Sequence, residues 1–171
     1  MKDDSKTNKL TKILFVIYLI AIFWIIVFKF NLPFSYFGNM RSINLIPFNE
    51  SLIINGMLYF REIIMNVVIF VPFGIYAGIL FKRWNIAKKV FLFSLISFIC
   101  EGFQFVLGIG ASDITDIICN TLGGVIGVML YNEIEKIIKD SVKAQKFINI
   151  IATIGTTLMI LFLLVLITYN L

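Results

Sequence analysis

Asp113-Ile114-Thr115-Asp116-Ile117-Ile118-Cys119-Asn120-Thr121-Leu122-Gly123-Gly124-Val125-Ile126-Gly127 opens on two acids, passes through an amide and ends in closely spaced glycines. It runs on into Val128-Met129-Leu130-Tyr131, so the polar start belongs to a segment apolar enough to cross a bilayer. Polar and ionisable groups at membrane depth are costly and persist where they pair or act. Glu101 and Gln104 sit just upstream, at the end of another apolar run. Together they suggest a polar site at one face of a bundle of membrane helices.

Composition supports that reading. The chain has 171 residues, of which 60% are hydrophobic, and its mean hydropathy is +0.96. Soluble domains typically hold roughly 45–50% apolar residues. A soluble fold of this length lacks the polar surface to cover so much apolar side chain. Apolar stretches of about 18 residues or more with few charges read as spanning helices. Five fit here: Leu10–Phe28, Ile63–Phe81, Val90–Val106, Ile114–Tyr131 and Phe147–Ile167. The expected fold class is therefore all-α, a polytopic integral membrane helical bundle. Residues 10–131 form a membrane domain of four spans and an apolar outer loop. Residues 132–146 form a cytoplasmic amphipathic connector, and 147–171 the fifth span and tail. The first span leads into Phe28-Lys29-Phe30-Asn31 without a small-residue cleavage site, so it reads as a retained anchor.

The net charge of +5 does not point to nucleic acid, because the cations flank the apolar segments. There they report orientation, since cytoplasmic loops are enriched in Lys and Arg. Lys2, Lys6, Lys9 and Lys12 precede the first span. Lys82, Arg83, Lys88 and Lys89 join the second to the third, and Lys136, Lys139, Lys143 and Lys146 join the fourth to the fifth. All three groups are read as cytoplasmic, with the N-terminus inside and the C-terminus outside. In that frame Glu101 and Gln104 lie at the outer end of the third span. Asp113, Asp116 and Asn120 lie at the outer start of the fourth. Arg61 and Asn66 begin the second span from outside, and Arg41 and Asn44 belong to the outer loop.

Residues three and four apart share a helix face, so Asp113, Asp116 and Asn120 form one stripe and Glu101 with Gln104 another. Asp113 also suits a helix N-cap. A lipid-facing carboxylate is expensive, so Glu101 is expected to face the bundle and either pair with Arg41 or Arg61 or hold a proton. Gly123 and Gly127 make a G-x-x-x-G that admits another helix closely, from the same chain or from a second copy in a homo-oligomer. The outer loop Asn44-Leu45-Ile46-Pro47-Phe48 is apolar enough to lie in the interface and cover the polar cluster. Cys100 and Cys119 fall inside apolar segments and read as small buried hydrophobes. With no histidine and no serine or cysteine nucleophile arrangement, the sequence argues against an enzyme. Neither a metal nor a cofactor is expected.

These residues together resemble the VanZ-like membrane proteins. The match comprises Arg41-Ser42-Ile43-Asn44-Leu45-Ile46-Pro47-Phe48, then Asn66 with Phe70-Val71-Pro72-Phe73-Gly74. Glu101 with Gln104 follows, then Asp113, Asp116, Asn120 and Gly123. Many relatives carry an arginine shortly before the first acid of the last motif; here Gly108-Ile109-Gly110-Ala111-Ser112 holds no cation. The resemblance implies a protein of the bacterial, mostly Gram-positive, cytoplasmic membrane and cell envelope. Antibiotic resistance enters through the family's founding member, which is associated with resistance to teicoplanin. The expected function is a non-enzymatic factor that lowers susceptibility to teicoplanin-type glycopeptides through an outward polar site. Its expected partner is a membrane lipid or lipid-linked cell-wall ligand. The alternative is an intramembrane enzyme acting on a lipid or lipid-linked head group.

Overall fold

The computed structural model describes residues 2–28, 42–48, 53–54, 57–58, 60–108 and 112–169. Its helices are α1 (Lys2–Phe28), α2 (Phe60–Leu80), α3 (Ile86–Leu107), α4 (Ile114–Ile138) and α5 (Ser141–Tyr169). Each holds a segment long and apolar enough to cross a membrane. The class is thus an all-α membrane fold with five candidate spans. Large apolar side chains such as Ile20, Phe91, Phe98, Val106, Ile154 and Val165 are exposed along the helices. Such surfaces are stable against acyl chains, which are as apolar as leucine.

Short extended pairs occupy the connections. β1 (Ile43–Asn44) runs parallel to β4 (Ser112–Asp113), with Ile43 opposite Ser112 and Asn44 opposite Asp113. β2 (Ile53–Ile54) pairs antiparallel with β3 (Met57–Leu58). The parallel pair is absent from the sequence reading, because two residues carry no periodicity. It matters because it fastens the segment after Arg41 to the start of α4. Helix ends follow local chemistry. Asn85 caps α3 by accepting from the Lys88 amide at 3.0 Å. Gly108 ends α3 in the left-handed region at φ 66°, its N–H reaching the Gln104 and Phe105 carbonyls. That conformation suits a residue without Cβ. The charged segment 132–146 is helical on both sides of a break at Lys139 and Asp140.

The chain divides into two compact units, one of Leu19–Tyr131 and one of Met1–Tyr18 with Asn132–Leu171. In the first, glycines bring helix backbones together. A Cβ on Gly74 would overlap the Gly124 carbonyl, and one on Gly127 would overlap the Val71 carbonyl. Gly123 meets the Val67 carbonyl in the same way, so the G-x-x-x-G notches are filled by α2 of the same chain. Gly124 faces the Phe93 ring of α3. Phe73 sits between Phe70 and Phe93, with edge-on ring centroids 5.7 and 5.1 Å away. Edge-to-face pairs of this kind add to area burial. Pro72 lies within α2, where its ring removes the donor to the Val68 carbonyl.

The second unit is held by a polar zipper between α1 and α5. Asn149 Nδ2 donates to the Thr7 carbonyl at 3.2 Å. Gln145 Nε2 donates to Thr11 Oγ1 at 2.7 Å and to Asn8 Oδ1 at 2.9 Å. Thr11 Oγ1 lies 2.9 Å from the Thr7 carbonyl and 3.0 Å from Asn149 Oδ1, and its single proton serves one at a time. Thr7, Thr11, Gln145 and Asn149 are all buried. Interhelical bonds of this kind hold membrane helices together where apolar burial cannot.

Candidate functional site

The start of α4 is the hub of the Leu19–Tyr131 unit's polar groups. Asp113 stands just before the first helical residue, and its Oδ1 accepts from the Thr115 amide at 2.7 Å. This is the capping role that the sequence suggested, which satisfies one of the free N–H groups of a helix start. Its Oδ2 accepts from Asn44 Nδ2 at 3.2 Å. Asn44 in turn uses Oδ1 to accept from the Ile46 amide at 3.1 Å, shaping the turn that follows β1. The amide of Phe48, a residue at φ 62°, donates to Thr115 Oγ1 at 3.0 Å. Segment 42–48 is therefore tied to α4 by its backbone pairing, by Asn44 and by Phe48.

Glu101 reaches the same point from α3. It is 1% exposed, and its Oε2 accepts the backbone N–H of Asp113 at 3.1 Å. A carboxylate beside a helix N-terminus sits at the positive end of the helix dipole. Asn66 joins from α2 by donating through Nδ2 to Asp116 Oδ1 at 2.6 Å. One helical turn deeper, Asn120 Nδ2 donates to Ser97 Oγ at 2.8 Å, and the Ser94 and Thr121 hydroxyls lie 3.0 Å apart. Polar pairs thus run along the α3–α4 seam from Ser94 to Asp113.

The structure brings Asn44, Asn66, Glu101, Asp113, Asp116 and Asn120 onto α4 and its neighbours. Gln104 departs from that group. It is buried, and its Nε2 donates to the Ile26 carbonyl of α1 at 2.8 Å. Arg41 lies outside the described residues. Arg61 is exposed and forms no ion pair among the described residues, so the expected Glu101–Arg61 pair is not made. The reason is placement: Arg61 sits in the exposed first turn of α2, whereas Glu101 is sealed against α4. Cys100 and Cys119 are buried free thiols. Among the described residues no three His, Cys, Asp or Glu side chains are grouped to hold a metal ion.

Sequence reasoning missed Ser97, Thr115, Ser94 and Thr121. A signal for Ser94 and Ser97 existed, since Ser94, Ser97, Glu101 and Gln104 follow one another at intervals of three, four and three on α3. Thr115 falls between the two acids, where its hydroxyl is read first as a polar residue of a helix start. In chemical terms the junction is rich in acceptors and amides. At the junction the acceptor Asn120 Oδ1 is buried without a hydrogen-bond partner among the described residues. Such a site suits groups that donate hydrogen bonds, such as hydroxyls, amides or ammonium, more than a bare anion.

Comparison with known proteins gives the same answer as the motifs. The family described as VanZ/LLP1 matches residues 15–139. Protein VanZ of Enterococcus faecium is 35% identical over 156 residues, an alignment that covers 90% of this chain and 91% of that one. No solved structure matches significantly. The family match takes in α1 from residue 15 onward, all of α2, α3 and α4, and every described residue of the α4 junction. This multi-pass protein of the bacterial cell membrane belongs to the VanZ/LLP1 family.

Proposed function

We propose that the chain lowers susceptibility to teicoplanin-type glycopeptides without catalysing a reaction, through the polar junction at the start of α4 turned toward the outer leaflet. Family membership supports the resistance role. The observation that carries the site is the link from Glu101 to the Asp113 amide and from the Asp113 carboxylate to Asn44. A buried carboxylate held this way joins two helices and a loop at one polar point inside an apolar protein. The lysine distribution supports the outward orientation, because the cation-rich connections all fall on the other side in a five-span topology. The ligand favoured by an acceptor-rich junction is a lipid-linked cell-wall group or lipid head group bearing hydroxyls or amides.

The test is teicoplanin and vancomycin susceptibility of a sensitive Gram-positive host expressing wild type, Glu101→Ala or Asn44→Ala at matched membrane levels. Teicoplanin-selective protection by wild type that both variants lose supports the reading. Protection that survives in both variants sinks the site. No protection by wild type sinks the resistance role, and an altered lipid profile in those cells would favour the intramembrane enzyme instead.

A further inference from the structure

Segment 42–48 has its polarity turned inside out. It carries no charged residue. Its one buried side chain is Asn44, bonded to Asp113, whereas Ile43, Leu45, Ile46 and Phe48 are between 41% and 70% exposed. A loop built for water shows the reverse. Its backbone is equally unlike that of a solvated loop. The Ile46 amide is bonded to Asn44 Oδ1, Pro47 has no N–H, and the Phe48 amide is bonded to Thr115 Oγ1. From Ile46 to Phe48 no N–H is left for water. Phe48 also holds a left-handed φ of 62°, which bulky residues rarely adopt. The spanning segment of α4 begins at Ile114, so the bonds to Asp113 and Thr115 fix segment 42–48 at the very end of a span.

We propose that segment 42–48 is a preformed insert in the lipid leaflet at this end of α4, held just beneath the head groups by its bonds to α4. Ile43, Leu45, Ile46 and Phe48 lie there among acyl chains. Irregular backbone is tolerated in lipid only where its polar groups are satisfied internally, and the bonds at Ile46 and Phe48 meet that condition. Lipid is the occupant because the patch continues a surface that acyl chains already touch. Ile118 and Leu122, three and seven residues beyond Thr115 on α4, are exposed along the span. The insert sets the depth at which the Glu101–Asp113 junction stands in the bilayer. It does not depend on any role in resistance.

Nitroxide labels on the full chain in phosphatidylglycerol nanodiscs read the depth, by collision with oxygen from the lipid and with a nickel chelate from the water. Cys100→Ala with Cys119→Ala leaves each label unique. Leu45→Cys and Ile46→Cys carry the test labels, Phe98→Cys on the exposed face of α3 gives the lipid reference, and Arg83→Cys in the α2–α3 turn gives the water reference. The test labels are expected about 5–10 Å below the boundary of head groups and acyl chains, the depth that interfacial apolar faces reach. Thr115→Val keeps the shape and removes the acceptor of the Phe48 amide. The freed donor is expected to draw both labels toward the nickel-accessible water, whereas Thr115→Ser is expected to keep their depth. Helical circular dichroism of each variant guards against misfolding. Labels at 45 and 46 as open to nickel as Arg83→Cys would overturn the proposal. So would labels shielded from both reagents, which a protein partner would produce, or a depth unchanged in Thr115→Val. No readout involves an antibiotic, so the resistance role stands or falls separately.

Discussion

Glu101 Oε2 holds the backbone N–H of Asp113 at 3.1 Å, so a side chain on α3 completes the hydrogen bonding at the first turn of α4. The two residues are twelve apart in sequence, with the α3 terminus and the turn at Gly108 between them. Removing the acceptor leaves a shielded donor at the helix start, which costs roughly 1–3 kcal/mol. Glu101→Ala is therefore expected to destabilise the chain by about that amount, plus the loss of packing at a fully buried position. Glu101→Gln retains an oxygen acceptor and is expected to cost less than half as much. Thermal unfolding in detergent micelles measures the difference, and hydrogen exchange at the Asp113 amide reports its local cause. Equal stability of the two variants would count against the bond as the source.

Within the spans, glycine matters where a neighbour leaves no room for a Cβ. Gly74→Leu pushes a side chain into the Gly124 carbonyl and the Gly127 Cα. Overpacking a core costs typically about 1–3 kcal/mol, and here the obstructing atoms are backbone. The variant is expected to lie at the top of that range or to fail to assemble. A Cβ added at Gly102 of α3 would meet nothing within 4 Å. Gly102→Ala is expected to stabilise the helix by about 0.5–1 kcal/mol. Gel filtration and thermal unfolding of the pair decide whether close approach or composition sets glycine's role.

The α1–α5 zipper depends on the Thr11 hydroxyl. Thr11→Val keeps the shape and removes the acceptor of Gln145 Nε2 and the proton shared between Thr7 and Asn149. Measured interhelical bonds in membrane proteins average about 0.6 kcal/mol and reach about 1.7. Thr11→Val is expected to cost an amount in that span. Proteolysis at the Lys139–Asp140 break checks it, since loosening α5 exposes that connection.

Asp140 makes the start of α5 sensitive to acid. The Lys143 amide, followed by the Val142 amide and the Lys143 side chain, holds its carboxyl below the usual carboxylate range. Because the folded value is depressed, the capping contribution is present above the unfolded value of about 3.9 and is lost as pH falls through the folded one. Exchange protection at the Val142 and Lys143 amides is expected to fall on acidification below that value. Asp140→Asn retains a capping side chain and is expected to flatten the dependence.

The spans were legible because they rest on long-range averages of hydropathy, which neighbouring residues reinforce. α1 and α5 nonetheless begin earlier than the apolar runs suggest, at Lys2 and Ser141. Charged residues there continue a helix that propensity permits and tertiary hydrogen bonds secure. At the site, Asp113, Asp116 and Asn120 were legible from spacing on one helix. Their partners were not, because Asn44–Asp113 and Asn66–Asp116 join residues 69 and 50 apart in sequence. Gln104 shows the limit most clearly. Its spacing from Glu101 places it on the same face, yet its amide turns to the Ile26 carbonyl of a different helix. Periodicity gives a face; only the fold gives the neighbour.

The parallel pairing of Ile43–Asn44 with Ser112–Asp113 also sets an order for biogenesis. When the ribosome has delivered α1, α2 and α3 to the membrane, Asn44 and Glu101 are both present but lack the residue that joins them. Ser112 and Asp113 arrive last, at the head of α4, and only then do strand, cap and carboxylate close on one another. A nascent chain halted after α3 would expose a buried acid and a loose apolar loop together, the features by which membrane quality control can recognise an unfinished protein.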